Sequence, residues 1–362
     1  MAYEVDFMAV GEGEKSGDAI AVRFGNLAGP RSEQTVYVID GGTKDSGEAL
    51  VSHIQKFYHT DLVDVVISTH PDSDHSFGLA VVLEKLRVGC LLMHQPWNHA
   101  EDIHHLFDHD DRVTPTGLEE RAWRSLENVR DLEKLAAKKG IKIIEPFSDT
   151  LPDVLSPSKA FYQQQLANFR CMPEPAQKAS IRAMMELVLG AVKEAIKRIA
   201  ETWFTETLTE PEPDATSAEN NSSVLLLLDL GGERFLFTAD AGVPALTAAT
   251  DRATALGIDL KTVKYLQVPH HGSKRNVGPA ILDRILGPKL AQDSPSKIAF
   301  VSAAKDGGPK HPAKKVVNAF QRRGAKVFAT QGNGLSQHSP DAPKREGWSD
   351  AVKLSFYQEV DE

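Results

Sequence analysis

In the first forty residues apolar and polar positions alternate with a period of two, most clearly in Tyr3-Glu4-Val5-Asp6-Phe7. That period predicts strands at YEVDFMAV, DAIAVRF and QTVYVID, separated by glycine-containing turns and closed by Asp40-Gly41-Gly42. A helix follows from about 46 to 59. LVDVVIST is a continuous apolar run rich in β-branched residues, the pattern of a strand buried on both faces, and it stops at His70. SFGLAVVLEKLR then predicts a helix and VGCLLMH a strand. Residues 117–140 predict one long amphipathic helix ending at Gly140, ahead of the strand IKIIEP.

Residues 158–219 break this rhythm. They contain two helical stretches and then the acidic, proline-containing run TEPEPDATSAEN, the pattern of a helical insertion. Its second helix places Ile181, Met184, Met185, Val188, Val192, Ile196, Ile199 and Trp203 on one stripe, for packing on the main domain or, alternatively, for a homodimer contact. After it, SSVLLLLDL and RFLFTAD predict a hairpin about Gly231-Gly232. A helix near 243–256, the strand TVKYLQVPHH, a helix near 279–286, the strand KIAFVS, a helix over 312–322, AKVFAT and a final strand DAVKLSFY complete the chain. Each half thus begins with strands and continues with alternating strand and helix, which predicts an α/β protein built as one domain over 1–362.

Composition narrows the class without fixing the chemistry. The 362 residues are 41% hydrophobic and 25% charged, which excludes disorder, collagen and coiled coil as the main state. Two cysteines, Cys90 and Cys171, stand far apart, so neither a thiolate cluster nor a disulfide framework is expected. No apolar run is long enough to span a membrane and the first residues lack a signal-peptide pattern, so the expectation is a cytoplasmic protein with no membrane partner. The acidic net charge of −9 hides an asymmetry: over 261–326, fourteen Lys or Arg face three acids, Asp283, Asp293 and Asp306. Such a run is either a solvated basic face or a landing surface for an anionic substrate, phosphate or a nucleic-acid backbone.

The candidate chemistry lies at strand ends. Thr69-His70-Pro71-Asp72-Ser73-Asp74-His75 puts four imidazole and carboxylate groups within six residues, directly after a buried strand, where open α/β sheets place their ligands. Imidazole and carboxylate suit divalent metals. The same loop alone would also serve as a solvated helix-capping turn, but Asp240 closes the strand RFLFTAD, and His270 and His271 close TVKYLQVP. Three strands thus each deliver metal-type ligands at their carboxyl ends.

This order of motifs resembles the metallo-β-lactamase superfamily, an αββα sandwich that binds one or two metals. Within it, HPDSDH, FTADAG and VPHHGS look most like the hydrolase domain of ComEC-type DNA-uptake proteins. VGEG with GDA over 10–19, VIDGG at 38–42, ENNSSVL at 219–225, and KHP with a later NGL over 310–335 match as well. The resemblance covers the chain except the insertion. It implies two divalent ions, Zn or Mn: one on His70 and Asp72, the other on Asp74, His75 and one of His270 and His271, with Asp240 bridging. His270 is favoured as the ligand, with His271 as a proton-transfer group; the reverse is the alternative. Asp72 stands where the wider superfamily has a second histidine, and this harder ligand moves the expectation from zinc toward manganese.

The superfamily's middle histidine ligand has His94 as its candidate, with His99 behind it; the alternative for His94 is a packed strand-end residue. Asp40 is expected to hydrogen-bond the metal loop. Asp74 and His271 are the implied catalytic residues, and Lys274, Arg275, Lys310, His311 and Asn221 the implied substrate-binding ones. His104, His105 and His109 sit among acids in a polar loop and read as surface residues. The membrane channel of the DNA-uptake proteins is absent from this sequence, which argues against transport. The function expected is a phosphodiesterase or nuclease; the rivals are a hydrolase of a small ester, lactone or thioester, and an interaction module whose metal supports the fold while the insertion recruits a partner.

Overall fold

The computed structural model describes residues 1–11, 16–107, 110–176, 198–305 and 311–361. In the first half, β1 (Ala2–Phe7), β2 (Ala19–Gly25) and β3 (Gln34–Gly41) form an antiparallel meander, and β4 (Leu62–Ile67), β5 (Arg87–Leu92) and β6 (Lys142–Ile144) extend it in parallel. The second half repeats the scheme. There β7 (Val154–Ser156), β9 (Leu225–Leu230) and β10 (Glu233–Phe237) are antiparallel, and β11 (Tyr265–Gln267), β12 (Lys297–Val301) and β13 (Ala325–Ala329) are parallel. A late strand, β14 (Leu335–His338), returns to pair with β1. The sheet orders are β14-β1-β2-β3-β4-β5-β6 and β13-β12-β11-β10-β9-β7.

Period-two alternation sorts the strand side chains into layers. Ile20, Val22 and Ile39 point between the sheets, while Ala19, Ala21, Val36 and Val38 point to the helices outside. The inner layer is aromatic: Phe7 stacks on Phe300 at 4.9 Å and Phe235 on Tyr265 at 4.4 Å. Outside the first sheet lie α1 (Lys44–Phe57), α2 (Ser73–Lys85) and the helix Glu127–Lys139; outside the second lie Val243–Ala255, Pro279–Ile285 and Lys314–Arg322. The layering is αββα, as expected. Among the described residues no helix is long and apolar enough to cross a membrane.

Several elements differ from the sequence expectation. The long helix over 117–140 is two, Pro115–Ser125 and Glu127–Lys139, broken at Leu126 (φ −99°, ψ 58°), which packs into two separate apolar clusters. DAVKLSFY forms no strand: one main-chain bond joins it to β13, Leu354 N to Val327 O at 2.8 Å, and side chains take up more of its backbone. Gln321 Nε2 donates to Leu354 O at 2.7 Å, and the Asn318 amide exchanges two hydrogen bonds with the Tyr357 backbone. The chain's last described strand, β15 (Glu359–Asp361), pairs instead with β8 (Arg198–Ala200).

Of the stripe in the insertion, Ile181, Met184, Met185, Val188, Val192 and Ile196 lie outside the described residues. Ile199 is in β8 rather than a helix, and the Trp203 indole donates to Leu290 O at 2.8 Å. Residues 201–210 are strapped onto the second half. Fully buried Arg322 donates to Glu201 Oε1 (2.5 Å) and to the carbonyls of Thr202, Trp203 and Thr205, and Leu208 enters the core.

Candidate metal centre

Three strand ends build the site. From β4 the loop 68–72 leads into α2, whose first turn carries Asp74 and His75. The approach of α2 to the end of β3 is close enough that a Cβ on Gly78 would lie 1.9 Å from Gly41 O, so only glycine lets this turn sit where it does. Asp240 follows β10, and His270 and His271 follow β11. Asp40, Ala239, His270 and His271 all have positive φ, between 44° and 55°. Four left-handed non-glycine residues at one site cost about 1 kcal/mol or more each and mark a backbone held in place by its surroundings.

Hydrogen bonds fix the imidazole tautomers. His75 Nδ1 donates to Asp40 Oδ2 at 2.8 Å. The Thr69 hydroxyl donates to the same carboxylate oxygen at 2.6 Å, so it accepts from His70 Nδ1 at 3.0 Å. His271 Nδ1 donates to Ser302 O at 2.9 Å. In all three the Nε2 lone pair is left without a hydrogen-bond partner, and so is Asp240 Oδ1, all of them buried. These Nε2 atoms lie 3.9 Å (His70), 3.4 Å (His75) and 3.7 Å (His271) from the Asp240 carboxylate. Ligand atoms arranged tetrahedrally around an ion at about 2.1 Å stand about 3.4 Å apart. The donor set therefore fits divalent cations, which would satisfy atoms that otherwise each cost about 1–3 kcal/mol in burial.

Asp72 Oδ2 stands 4.0 Å from His70 Nε2, and Asp74 groups with His75 and His271 within 4.8 Å. His270 is arranged differently from its neighbour. The Asn220 amide nitrogen donates to its Nδ1 at 3.0 Å, so the proton sits on Nε2, 3.5 Å from Asp240 Oδ2. With 30% of its side chain exposed, against 5% for His271, it faces the cleft, where its ring stacks near His311.

Charge follows burial and contact. Burial alone would lower the His75 pKa, but the carboxylates of Asp240 and Asp40 hold it well above the usual histidine range, a proton that an ion taking Nε2 would displace. Burial would raise Asp240, yet His270, His75 and His271 hold it well below the carboxylate range. Burial lowers His271 to about 4 and, with His75 adding, also lowers His70. Asp18, buried at the start of β2, is pushed up to about 7 by burial against the pull of His75, with Asp240 and Asp40 adding to the rise.

The centre opens into a cleft of about 720 Å³. Asp72, Asp74 and Asp240 line it, and so do Lys274, Arg275 and His311. Lys310 lies outside the described residues. Asn221 does not reach the cleft: it is buried, its Oδ1 accepting from Gly242 N at 3.2 Å and its Nδ2 donating to Thr216 O at 3.3 Å. Its neighbour Asn220 takes the lining position.

His94 stands outside the three groups of clustered ligands. Buried between Tyr162 (4.1 Å) and Phe147 (4.9 Å), it shares a small cavity with His70, and burial holds it well below the usual histidine range. His99 is bonded to Glu145 at 2.8 Å. His104 bonds Val113 O at 2.9 Å, His105 is exposed, and His109 lies outside the described residues. Sequence reasoning missed Asp18, although it sits in the GDA motif, and it missed the cleft cation Arg170; Lys314 and Lys315 belong to the basic run over 261–326 without being singled out in it. Arg170 carried no signal at all, because it follows an unremarkable helix and meets the site only through the fold.

No family model matches the chain. It is 28% identical over 128 residues to ComE operon protein 3 of Bacillus subtilis (strain 168), a stretch that is 35% of this chain and 15% of that protein. Among solved structures, a CmlA beta-hydroxylase E377D mutant aligns with 92% of this chain and 54% of its own, at 12% identity and a TM-score of 0.41. A long form RNase Z from yeast aligns with 97% of this chain and 40% of its own, at 12% identity and a TM-score of 0.31.

Proposed function

We propose that this chain, a member of the metallo-β-lactamase superfamily, is a metal-dependent hydrolase of phosphodiester bonds whose substrate class is nucleic acid. One observation carries the reading: buried Nε2 lone pairs converge on Asp240 at the floor of a cleft whose walls bear Arg170, Lys274, Arg275, Lys314 and Lys315. His70, Asp72, Asp74, His75, His271 and Asp240 would hold two divalent ions. Such ions supply Lewis acidity, activating water and polarising a phosphoryl oxygen.

The chain's own residues do the rest. Asp40, Thr69 and Ser302 O hold three imidazoles in the ligand tautomer. His270 turns an N–H toward the cleft, placed to donate to a phosphoryl or leaving-group oxygen. The cations compensate phosphate charge, a service that an uncharged ester or lactone does not need. For the interaction-module alternative, a cleft leading to the centre serves no purpose.

The test is to strip the protein of metal, reload it with Mn²⁺ or Zn²⁺, and compare hydrolysis of single- and double-stranded DNA, RNA, a nitrophenyl phosphodiester and a nitrophenyl acetate. Tight binding of two ions and a preference for phosphodiesters are expected, with Asp240→Ala losing metal and at least about a hundredfold in rate. A protein that takes up no divalent ion, or that prefers the acetate, overturns the reading.

A further inference from the structure

The two halves of the centre hang from different sheets, so something besides a strand ladder must set their spacing. One such link is main-chain, Val224 N donating to Thr69 O at 3.0 Å. Another is a single amide side chain. Gln267, the last residue of β11, is buried, and its Oε1 accepts from both Thr238 N and Ala239 N at 2.9 Å each. Its Nε2 donates to Asp18 Oδ2 at 2.7 Å. The orientation of the amide is forced, since two N–H donors require the oxygen on one side and a carboxylate acceptor requires the nitrogen on the other.

What this amide touches matters. Ala239 is the left-handed residue before Asp240, and its carbonyl accepts from His270 N at 2.9 Å. One side of the amide therefore pins the turn that aims Asp240 and the backbone of the histidine pair. On the other side, Asp18 Oδ2 lies 3.8 Å from His75 Nδ1, the imidazole shared by all three ligand groups, and Asp18 Oδ1 is buried without a partner.

We infer that Gln267 and Asp18 form a positioning pair that holds Asp240 and His75 at the separation the ions require. Neither residue needs to touch substrate. The inference rests on the metal-binding part of the proposed function and is independent of which ester the protein cleaves. It also explains why the left-handed Ala239 persists without glycine's freedom: a buried double acceptor over-determines it.

The complementarity can be reversed. Gln267→Glu keeps the acceptor for Thr238 N and Ala239 N but sets a carboxyl against Asp18, whereas Gln267→Glu with Asp18→Asn restores a donor–acceptor pair with the roles exchanged. Mn²⁺ and Zn²⁺ titrations of the metal-stripped proteins, read by calorimetry, give affinity and stoichiometry, and thermal unfolding of the same metal-free samples gives stability. Gln267→Glu should weaken binding by about tenfold to a hundredfold, as removal of a partner behind the ligands does. The double variant should recover to within about threefold of wild type, and a role in stability alone would leave affinity unmoved. If Gln267→Glu does not fold, Asp18→Ala, which removes the acceptor of Gln267 Nε2, carries the same expectation.

Wild-type affinity and stoichiometry in the single variant, or no recovery in the double, overturns the inference. Wild-type protein that binds no ion would instead overturn the proposed function, so the two failures are distinct.

Discussion

Arg322→Met removes a fully buried charge. The guanidinium is fully enclosed and donates to Glu201, itself fully enclosed, and to three carbonyls of the strap over 201–210. In the variant Glu201 keeps one side-chain donor, the Thr207 hydroxyl at 2.8 Å. Its charge is then left buried without its partner, which costs about 3–5 kcal/mol. The undonated carbonyls add to this, so the expected loss is at least about 3 kcal/mol out of a total of about 5–15.

Urea unfolding followed by tryptophan fluorescence measures it, with Trp203 inside the affected strap. Arg322→Met/Glu201→Leu removes the stranded charge and should recover about 2 kcal/mol or more of the loss, giving a strongly non-additive cycle. A single variant within about 1 kcal/mol of wild type, or a double variant no more stable than the single, would refute the reasoning that the pair locks the strap to the second half.

Two further outcomes follow from charge. Lys274→Ala/Arg275→Ala should weaken DNA binding and flatten the slope of log affinity against log salt by about 0.7–0.9 for each phosphate that is no longer neutralised; an unchanged slope removes these side chains from the substrate path. At the other edge of the protein, Asp6 is buried and bonded by His53, Tyr58 and Arg345. Burial would raise its carboxyl, but the hydrogen bonds from His53 and Arg345 outweigh burial and hold it well below the usual range. A depressed folded value means stability present above about pH 4 and lost as pH falls further. The difference in unfolding free energy between wild type and Asp6→Asn should therefore be constant from pH 7 to about 4 and shrink below it; a difference unchanged down to pH 2.5 contradicts this.

The parts of the site legible in the sequence are those whose meaning is local. His70, Asp72, Asp74 and His75 fall together after a run that reads as a buried strand, and Asp240 and the His270-His271 pair each close a similar run, whereas the sequence favoured His270 as ligand and the tautomers favour His271. What stayed hidden depends on partners far along the chain. Asp18 matters through Gln267, and Arg170 through a cleft assembled from both halves. The period of the helix over 117–140 continues through Leu126, so nothing local announces a break made by two different apolar clusters. DAVKLSFY has strand composition, yet Asn318 and Gln321 claim its backbone first.

Among the described residues the two sheets share no ladder, and His75 and His271, whose rings lie 5.6 Å apart, come from opposite ends of a long stretch of sequence. The centre is thus a meeting point of very high sequence separation, and it exists only where the loop-closure entropy between its parts has been met. Ions that bind only the assembled centre report on global folding, because no fragment holding one half carries the donor set. Their binding energy then adds to the stability of the whole chain rather than to that of one loop.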